Sequence, residues 1–164
     1  MARPHRQPKR FDHWGWALGA IASLSGMLHL TAIAQESNFG RIALGANQPT
    51  GVLRGTTGGT ASLPGIVSNR DRHNRACLGF ADSQPDHILV LEQPFPNLTF
   101  QVRSNADTTL VVQRSDGTVW CGDDTGNQKD ASISDQAWTA DTYRIWVGTA
   151  DPSLQRGYTL TIQP

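Results

Sequence analysis

Little in this sequence is built for helices, for enzymatic catalysis or for binding nucleic acid. Only 17% of its 164 residues are charged, and cysteine, methionine and tyrosine occur twice each. Beyond residue 34 no segment keeps a helical spacing of apolar residues for more than a turn or two, which excludes a helical bundle as the expected fold. No Gly-x-Ser-x-Gly elbow is present to hold a nucleophilic serine. The glycines of Thr56-Thr57-Gly58-Gly59-Thr60 are followed neither by Gly-Lys-Ser/Thr nor by a helical pattern, so a phosphate loop is excluded as well. Histidine is scarce: beyond residue 34 only His73 and His87 remain. His87 follows Asp86 at the start of an apolar run, where the pair is expected to cap a strand.

The one long apolar run lies at the N-terminus. Arg3, Arg6, Lys9 and Arg10 precede it against a single acid, Asp12. The run extends from Trp14 to about Leu30 and leads into Thr31-Ala32-Ile33-Ala34. A basic start, an apolar centre and small residues at alternate positions make a secretory signal peptide, residues 1–34, with cleavage expected after Ala34. An uncleaved anchor is the alternative, weakened by Gly15, Ser23, Ser25, Gly26 and His29 within the run. The expected location is secreted or periplasmic, with no stable membrane insertion once the peptide is removed. Four of 14 basic and one of 14 acidic residues fall within this segment. The remainder carries 10 basic and 13 acidic residues, a net charge of −3. No nucleic-acid partner is therefore expected, because such partners need a basic footprint.

Both cysteines, Cys77 and Cys121, lie in the exported part. A single pair in an oxidising compartment is expected to form one disulfide. Zinc ligation by His73, Cys77 and Cys121 is the weaker alternative, since oxidation competes with thiolate binding.

Residues 35–47 are read as a flexible tether and 48–164 as the folded domain, with a first edge strand near Thr50 to Gly55. Ala61 to Val67 is a Pro-interrupted strand candidate, and Arg70 to Pro85 a long polar connection. Asp86 to Leu91 is a continuous apolar run, as in a strand buried on both faces. Leu98 to Arg103, Thr142 to Gly148 and Gly157 to Gln163 alternate apolar and polar residues with the period of a strand. At the centre Thr109 to Gln113 and Thr118 to Cys121 flank Ser115-Asp116-Gly117, and Asp-Gly between two β-rich runs is a strong hairpin signal. Ser132 to Trp138 is a further short strand or turn. The expected fold is all-β: an antiparallel β-sandwich of about 7–9 strands. A closed barrel is the alternative.

Several segments occur in a telling order. They are Cys77-Leu-Gly-Phe, Gln84-Pro85-Asp86-His87, Asp107-Thr108-Thr109-Leu110, Asp116-Gly117, Cys121-Gly-Asp123-Asp124 and Tyr143-Arg-Ile-Trp146-Val-Gly148. As an ordered set, covering about Gln48 to Ile162, they resemble the bacterial pre-peptidase C-terminal type of domain, in the version common in exported cyanobacterial proteins. The resemblance implies a jelly-roll-like sandwich, usually an accessory module attached to secreted hydrolases or standing alone. Relatives in the wider group include collagen-binding domains that carry calcium. One departure is Asp141, where a glycine is expected in the turn before the Tyr143 strand. Asp tolerates a left-handed backbone better than most residues, so the turn is expected to survive.

Two sites are singled out. Asp123, Asp124, Asn127 and Asp130 crowd one loop after the hairpin, with Asp107 one strand earlier. Calcium takes six to eight oxygens on flexible loops, so Asp107, Asp123 and Asp124 are candidate ligands. The alternative is a polar turn, which Asp and Asn favour anyway. Trp146 stands on the opposite face of its strand from Ile145. It either fills a second packing layer or presents an exposed aromatic for binding. The expected function is a non-catalytic accessory or binding module. Its partner is an extracellular or envelope protein or a polysaccharide, and it needs no cofactor other than a possible calcium ion. A structural, calcium-stabilised envelope protein and a small secreted hydrolase are the alternatives.

Overall fold

The computed structural model describes residues 37–125 and 128–164. The signal peptide, the start of the tether and Asn127 lie outside the described residues. The elements in chain order are β1 (Arg41–Leu44), β2 (Gly51–Thr56), β3 (Ala61–Ser62), the helical turn α1 (Leu63–Ile66), β4 (Phe80–Ala81), β5 (His87–Leu91) and β6 (Phe95–Ser104). There follow β7 (Thr108–Arg114), β8 (Val119–Gly122), β9 (Asp124–Thr125), β10 (Gln128–Trp138), β11 (Asp141–Thr149) and β12 (Gly157–Gln163). In the first sheet β11 is central: it pairs β5 and β7, and at its end β4. β1 flanks β5, β8 flanks β7 and β3 flanks β4. The second sheet runs β2-β12-β6-β10-β9. The two sheets form an all-β sandwich. All described pairings are antiparallel except β1 with β5, which run parallel. The expected strand number holds if β3, β4 and β9, of two residues each, are set aside.

The alternating segments fold as their period dictates. Tyr158, Leu160 and Ile162 of β12 are buried at 4%, 0% and 0% exposure, while Thr159 and Thr161 point outward. Leu98, Phe100 and Val102 do the same on β6. Between the sheets Trp120 stacks on Trp138 at 4.4 Å, with Phe100 and Tyr143 packed against Trp138. Each such aromatic pair adds roughly 0.5–1.5 kcal/mol to the burial of its area. The central hairpin closes through Gly117 N–H donating to the Arg114 carbonyl at 3.0 Å, with Gly117 at φ +90°. That left-handed backbone is why glycine follows Asp116.

Elsewhere the structure departs from the sequence reading. Residues 41–44, placed in the tether, form β1 on the free edge of β5, because Leu44 and Ile42 reach the core from that register. Ala61 to Val67 divides into two-residue β3 and α1, which Pro64 enters at its first turn, where no N–H is needed. Pro96, ahead of the start of the expected Leu98 to Arg103 strand, lies inside the longer β6, between the paired positions Asn97–Gln136 and Phe95–Trp138. Opposite it Ala137 has φ +58°, an irregularity that spares the missing donor. Asp141 is not in a left-handed turn: it opens β11, where its Oδ1 accepts from Ser115 Oγ at 2.7 Å and from Thr142 N at 2.6 Å.

The first sheet is also buried on its outer face. Val111, Val119, Cys121 and Trp146 point away from the main core and are covered by Leu63, Cys77 and Ala81. Residues 63–81 thus form a lid of irregular chain over that sheet. The second sheet has no such cover among the described residues. Its outer face carries Asn97, Thr99, Gln101, Arg103, Ser134, Gln136, Thr159, Thr161 and Gln163, all exposed or half-buried.

Candidate functional site

The hairpin brings the three predicted acidic residues together. Leu110 pairs with Gly122, so the start of β7 and the end of β8 lie side by side. Asp107 precedes β7, Asp123 follows β8 and Asp124 opens β9. One carboxylate oxygen from each lies within 4.8 Å of the others. Gly122 lets the end of β8 lie close against β10, since a Cβ there would stand 2.2 Å from the Ser132 carbonyl oxygen. Thr108 Oγ1 accepts from Ala131 N at 2.9 Å and ties the start of β7 to β10. Asp130, from the same predicted loop, is committed elsewhere: its Oδ1 accepts from Ser104 N at 2.9 Å. Strands β9 and β10 take up much of what the sequence presents as one long acidic loop.

Burial pushes the Asp123 carboxyl above its ordinary value, and the charges of Asp124 and Asp107 push it further the same way. Three converging carboxylates supply six hard oxygens, a donor set that suits calcium. Asp107, Asp123 and Asp124 would hold such an ion, which would supply neutralising charge and a link between the hairpin and the β6–β7 turn. Lys129 Nζ lies 3.2 Å from Asp107 Oδ2 and already offsets part of that charge. Beside the cluster a groove of about 410 Å³ is lined by Ser104, Asn105, Asp107, Lys129 and Asp130.

Cys77 and Cys121 form the expected disulfide, with Cα atoms 5.2 Å apart. It pins the lid to β8. Trp146 is 2% exposed and packs into this second apolar layer with Val111 and the disulfide. It is not a binding aromatic, which corrects that reading; β11 carries apolar residues on both faces because both are covered.

Three polar clusters were not read from the sequence. The Arg70–Arg75 stretch, at the start of the expected polar connection, folds around buried Asp71. Asp71 Oδ1 accepts from His73 N at 2.8 Å and Arg75 N at 2.9 Å, and Oδ2 accepts from Arg75 Nε at 2.9 Å and Cys121 N at 3.3 Å. Burial pushes its pKa up, but the hydrogen bonds from Arg75, His73 and Cys121 outweigh this and hold it below the usual carboxylate range. The signal was present: Asp two residues before a polar residue favours a local turn around its own side chain. Asp135 Oδ2 accepts from Trp120 Nε1 at 2.5 Å and contacts His73 Nε2 at 2.8 Å. Asp86 is buried rather than capping a strand end: its Oδ2 accepts from Val147 N at 2.7 Å and its Oδ1 from Asn38 Nδ2 at 3.2 Å. Its neighbour His87 is fully buried, with Nε2 2.9 Å from the Tyr158 hydroxyl.

His73 Nε2 is paired with Asp135, and His87 Nε2 with the hydroxyl of buried Tyr158.

Comparison with known proteins adds little beyond shape. No family model and no curated protein matches the chain. Among solved structures it is similar to the pre-peptidase C-terminal domain of a collagenase from Bacillus anthracis, with 14% identity over 79% of this chain and 97% of that one, at a TM-score of 0.49.

Proposed function

We propose that the protein is a non-catalytic binding module that acts outside the cytoplasm. One asymmetry carries this reading: the first sheet is covered by the protein's own lid, whereas among the described residues nothing covers the outer face of β2-β12-β6-β10, which is lined by hydroxyl, amide and guanidinium side chains. The grooves at the end of that face are open and lined by polar side chains. Such a surface suits recognition of an extracellular or envelope protein or polysaccharide.

The test uses the purified, oxidised protein and variants of its open face. Gln101→Glu with Thr161→Glu places two charges on adjacent strands of that face, which like-charge repulsion makes incompatible with a fitted ligand. Capture of a specific envelope component by the wild type, lost in this variant and in each single Glu variant while all of them still unfold cooperatively, is the expected result. Turnover of a peptide or ester panel that disappears in a His73→Ala variant would overturn the reading in favour of a hydrolase.

A structural, calcium-stabilised role is a second reading, favoured by the convergence of Asp107, Asp123 and Asp124 within 4.8 Å. It is compatible with the first, since an ion there would stiffen the end of the sandwich that borders the open face.

A further inference from the structure

We propose that the end of the open face, at Arg54, Thr159 and Arg103, binds an acidic polysaccharide, a polymer bearing carboxylate or sulfate groups. This deepens the binding-module reading and rests on it. Thr159 pairs with Arg54 of β2 on one side and with Arg103 of β6 on the other. In the next row Leu53, Leu160 and Val102 point into the core, so by strand alternation the arginine row faces outward. Two strand spacings put the arginine backbones roughly 10 Å apart with a threonine hydroxyl between them. Gly55 and Gly157 lie alongside with no side chain, and a Cβ at Gly157 would meet nothing within 4 Å. The result is a groove of about 460 Å³ lined by these residues with Ser104 and Asn105. Ser104 Oγ donates to the Gly157 carbonyl at 3.0 Å, which fixes that wall.

Both arginines are exposed, and neither has an ion-pair or hydrogen-bond partner among the described residues. Arg72, Arg75 and Arg114, by contrast, each pair with an aspartate. Of the two acids that border the adjoining groove, Asp107 is paired with Lys129 and Asp130 is turned to Ser104 N. Two guanidiniums facing one groove without a counter-charge are complementary to oxyanions, which they can grip with paired N–H donors.

The rest of the face narrows the class of ligand. Val52, Thr161 and Gln101 form the next outward row, and Thr99 Oγ1 lies 3.1 Å from Ser134 Oγ beyond it. Rows of hydroxyls and amides supply donors and acceptors for sugar hydroxyls along an extended chain. The exposed large apolar residues among those described are Phe39, Val52 and Leu78, and of these Phe39, the one aromatic, packs on His87 and on the core-facing Tyr158 rather than in the outward row of Val52. The two arginines act locally within an exported part whose net charge is −3.

Isothermal titration of the purified oxidised protein with polygalacturonate and with dextran sulfate tests the proposal, with dextran and polyglutamate as controls. Binding to the carboxylate or the sulfate polymer, weakened by salt and absent for dextran, is expected; which polymer binds identifies the oxyanion. Arg54→Ala and Arg103→Ala should each cost about tenfold in affinity, the loss of one charge-assisted contact, at unchanged melting temperature. Arg54→Lys with Arg103→Lys should retain part of the binding, since charge survives and the paired donors do not. No binding to either polymer, equal binding of dextran, or binding unaffected by both alanine variants overturns the proposal. Arginine-dependent binding of polyglutamate at equal affinity also overturns it, in favour of an acidic peptide. A failure here with capture still lost on Gln101→Glu and Thr161→Glu would remove this ligand class alone; loss of both results would remove the binding-module reading.

Discussion

Asp86 and His87 are adjacent in the chain, both sealed from water, and they titrate in opposite senses. Burial raises the Asp86 carboxyl from 3.8 to about 7, more than the hydrogen bonds from Val147 and Asn38 lower it. Burial lowers the His87 imidazole from 6.5 to about 4. A second proton on that ring is opposed by more than burial alone, because Nδ1 has no hydrogen-bond partner. A raised folded pKa gives stability that is complete below the unfolded value and lost as pH rises through the folded one. Asp86 therefore favours folding below about 3.8 and loses that contribution as pH rises through about 7. His87, with its pKa depressed, contributes above about 6.5 and loses that contribution as pH falls through about 4. Between pH 4 and 6.5 the two slopes oppose each other, at about 1.4 kcal/mol per pH unit for one full proton. Denaturant titrations should therefore show little pH dependence from this pair in the wild type. Asp86→Asn should leave a stability that rises with pH across the window, and His87→Gln one that falls. Slopes of the same sign in the two variants would show that the two groups do not titrate as a pair.

At the scale of the elements, the lid over the first sheet is the feature the disulfide serves. Residues 63–81 contain a four-residue helical turn and a single two-residue strand, too little regular structure to hold itself. Leu63, Ala81 and the Cys77–Cys121 bridge seat it on Val111 and Trp146. Closing a loop with a sequence separation of 44 is expected to contribute about 3–4 kcal/mol. Cys77→Ala with Cys121→Ala should lower stability by that order. It should also shift tryptophan emission to the red at denaturant concentrations where the main core remains folded, because Trp146 loses its cover first. An unchanged denaturation midpoint would leave the bridge as ornament on a lid held by packing alone. The same element explains what the sequence could and could not disclose. The Leu98–Arg103 and Gly157–Gln163 strands were legible because one of their faces meets water and the other the core. The Asp116-Gly117 hairpin was legible because its turn chemistry is local. Trp146 was ambiguous because its burial depends on a lid tens of residues away in sequence, and no periodicity within β11 records that. The Arg41–Leu44 strand was hidden by short length and Gly- and Asn-rich flanks, and it forms where β5 offers a free edge. At the acidic cluster the residue types were legible, but the convergence of Asp107 with Asp123 needed the β7–β8 register.

Over the whole molecule, stability is concentrated in the two apolar layers, while unfavourable charge collects where the hairpin end meets the β6–β7 turn. Asp123 has its carboxyl raised by burial and by Asp124 and Asp107, so its ionised form opposes folding at neutral pH. The Lys129–Asp107 pair relieves this only slightly, because Lys129 is 73% exposed and a surface pair contributes about 0–1 kcal/mol. A divalent cation held by the three carboxylates would convert the repulsion into attraction, and its effect would appear as stability. Binding confined to the native state contributes RT ln(1 + [L]/Kd), or about 2.7 kcal/mol at a hundredfold excess over Kd. Thermal unfolding in chelator, in millimolar calcium and in magnesium is the measurement. The wild type should gain melting temperature with calcium more than with magnesium, which keeps its own water shell and suits this site less well. Asp123→Asn should unfold no earlier than the wild type in chelator, since it removes a like charge, and should lose the calcium response. Lys129→Ala should sharpen that response by freeing Asp107. A wild type indifferent to calcium, or an Asp123→Asn variant that responds equally, would return the cluster to a polar turn, and the open face would then owe nothing to a metal.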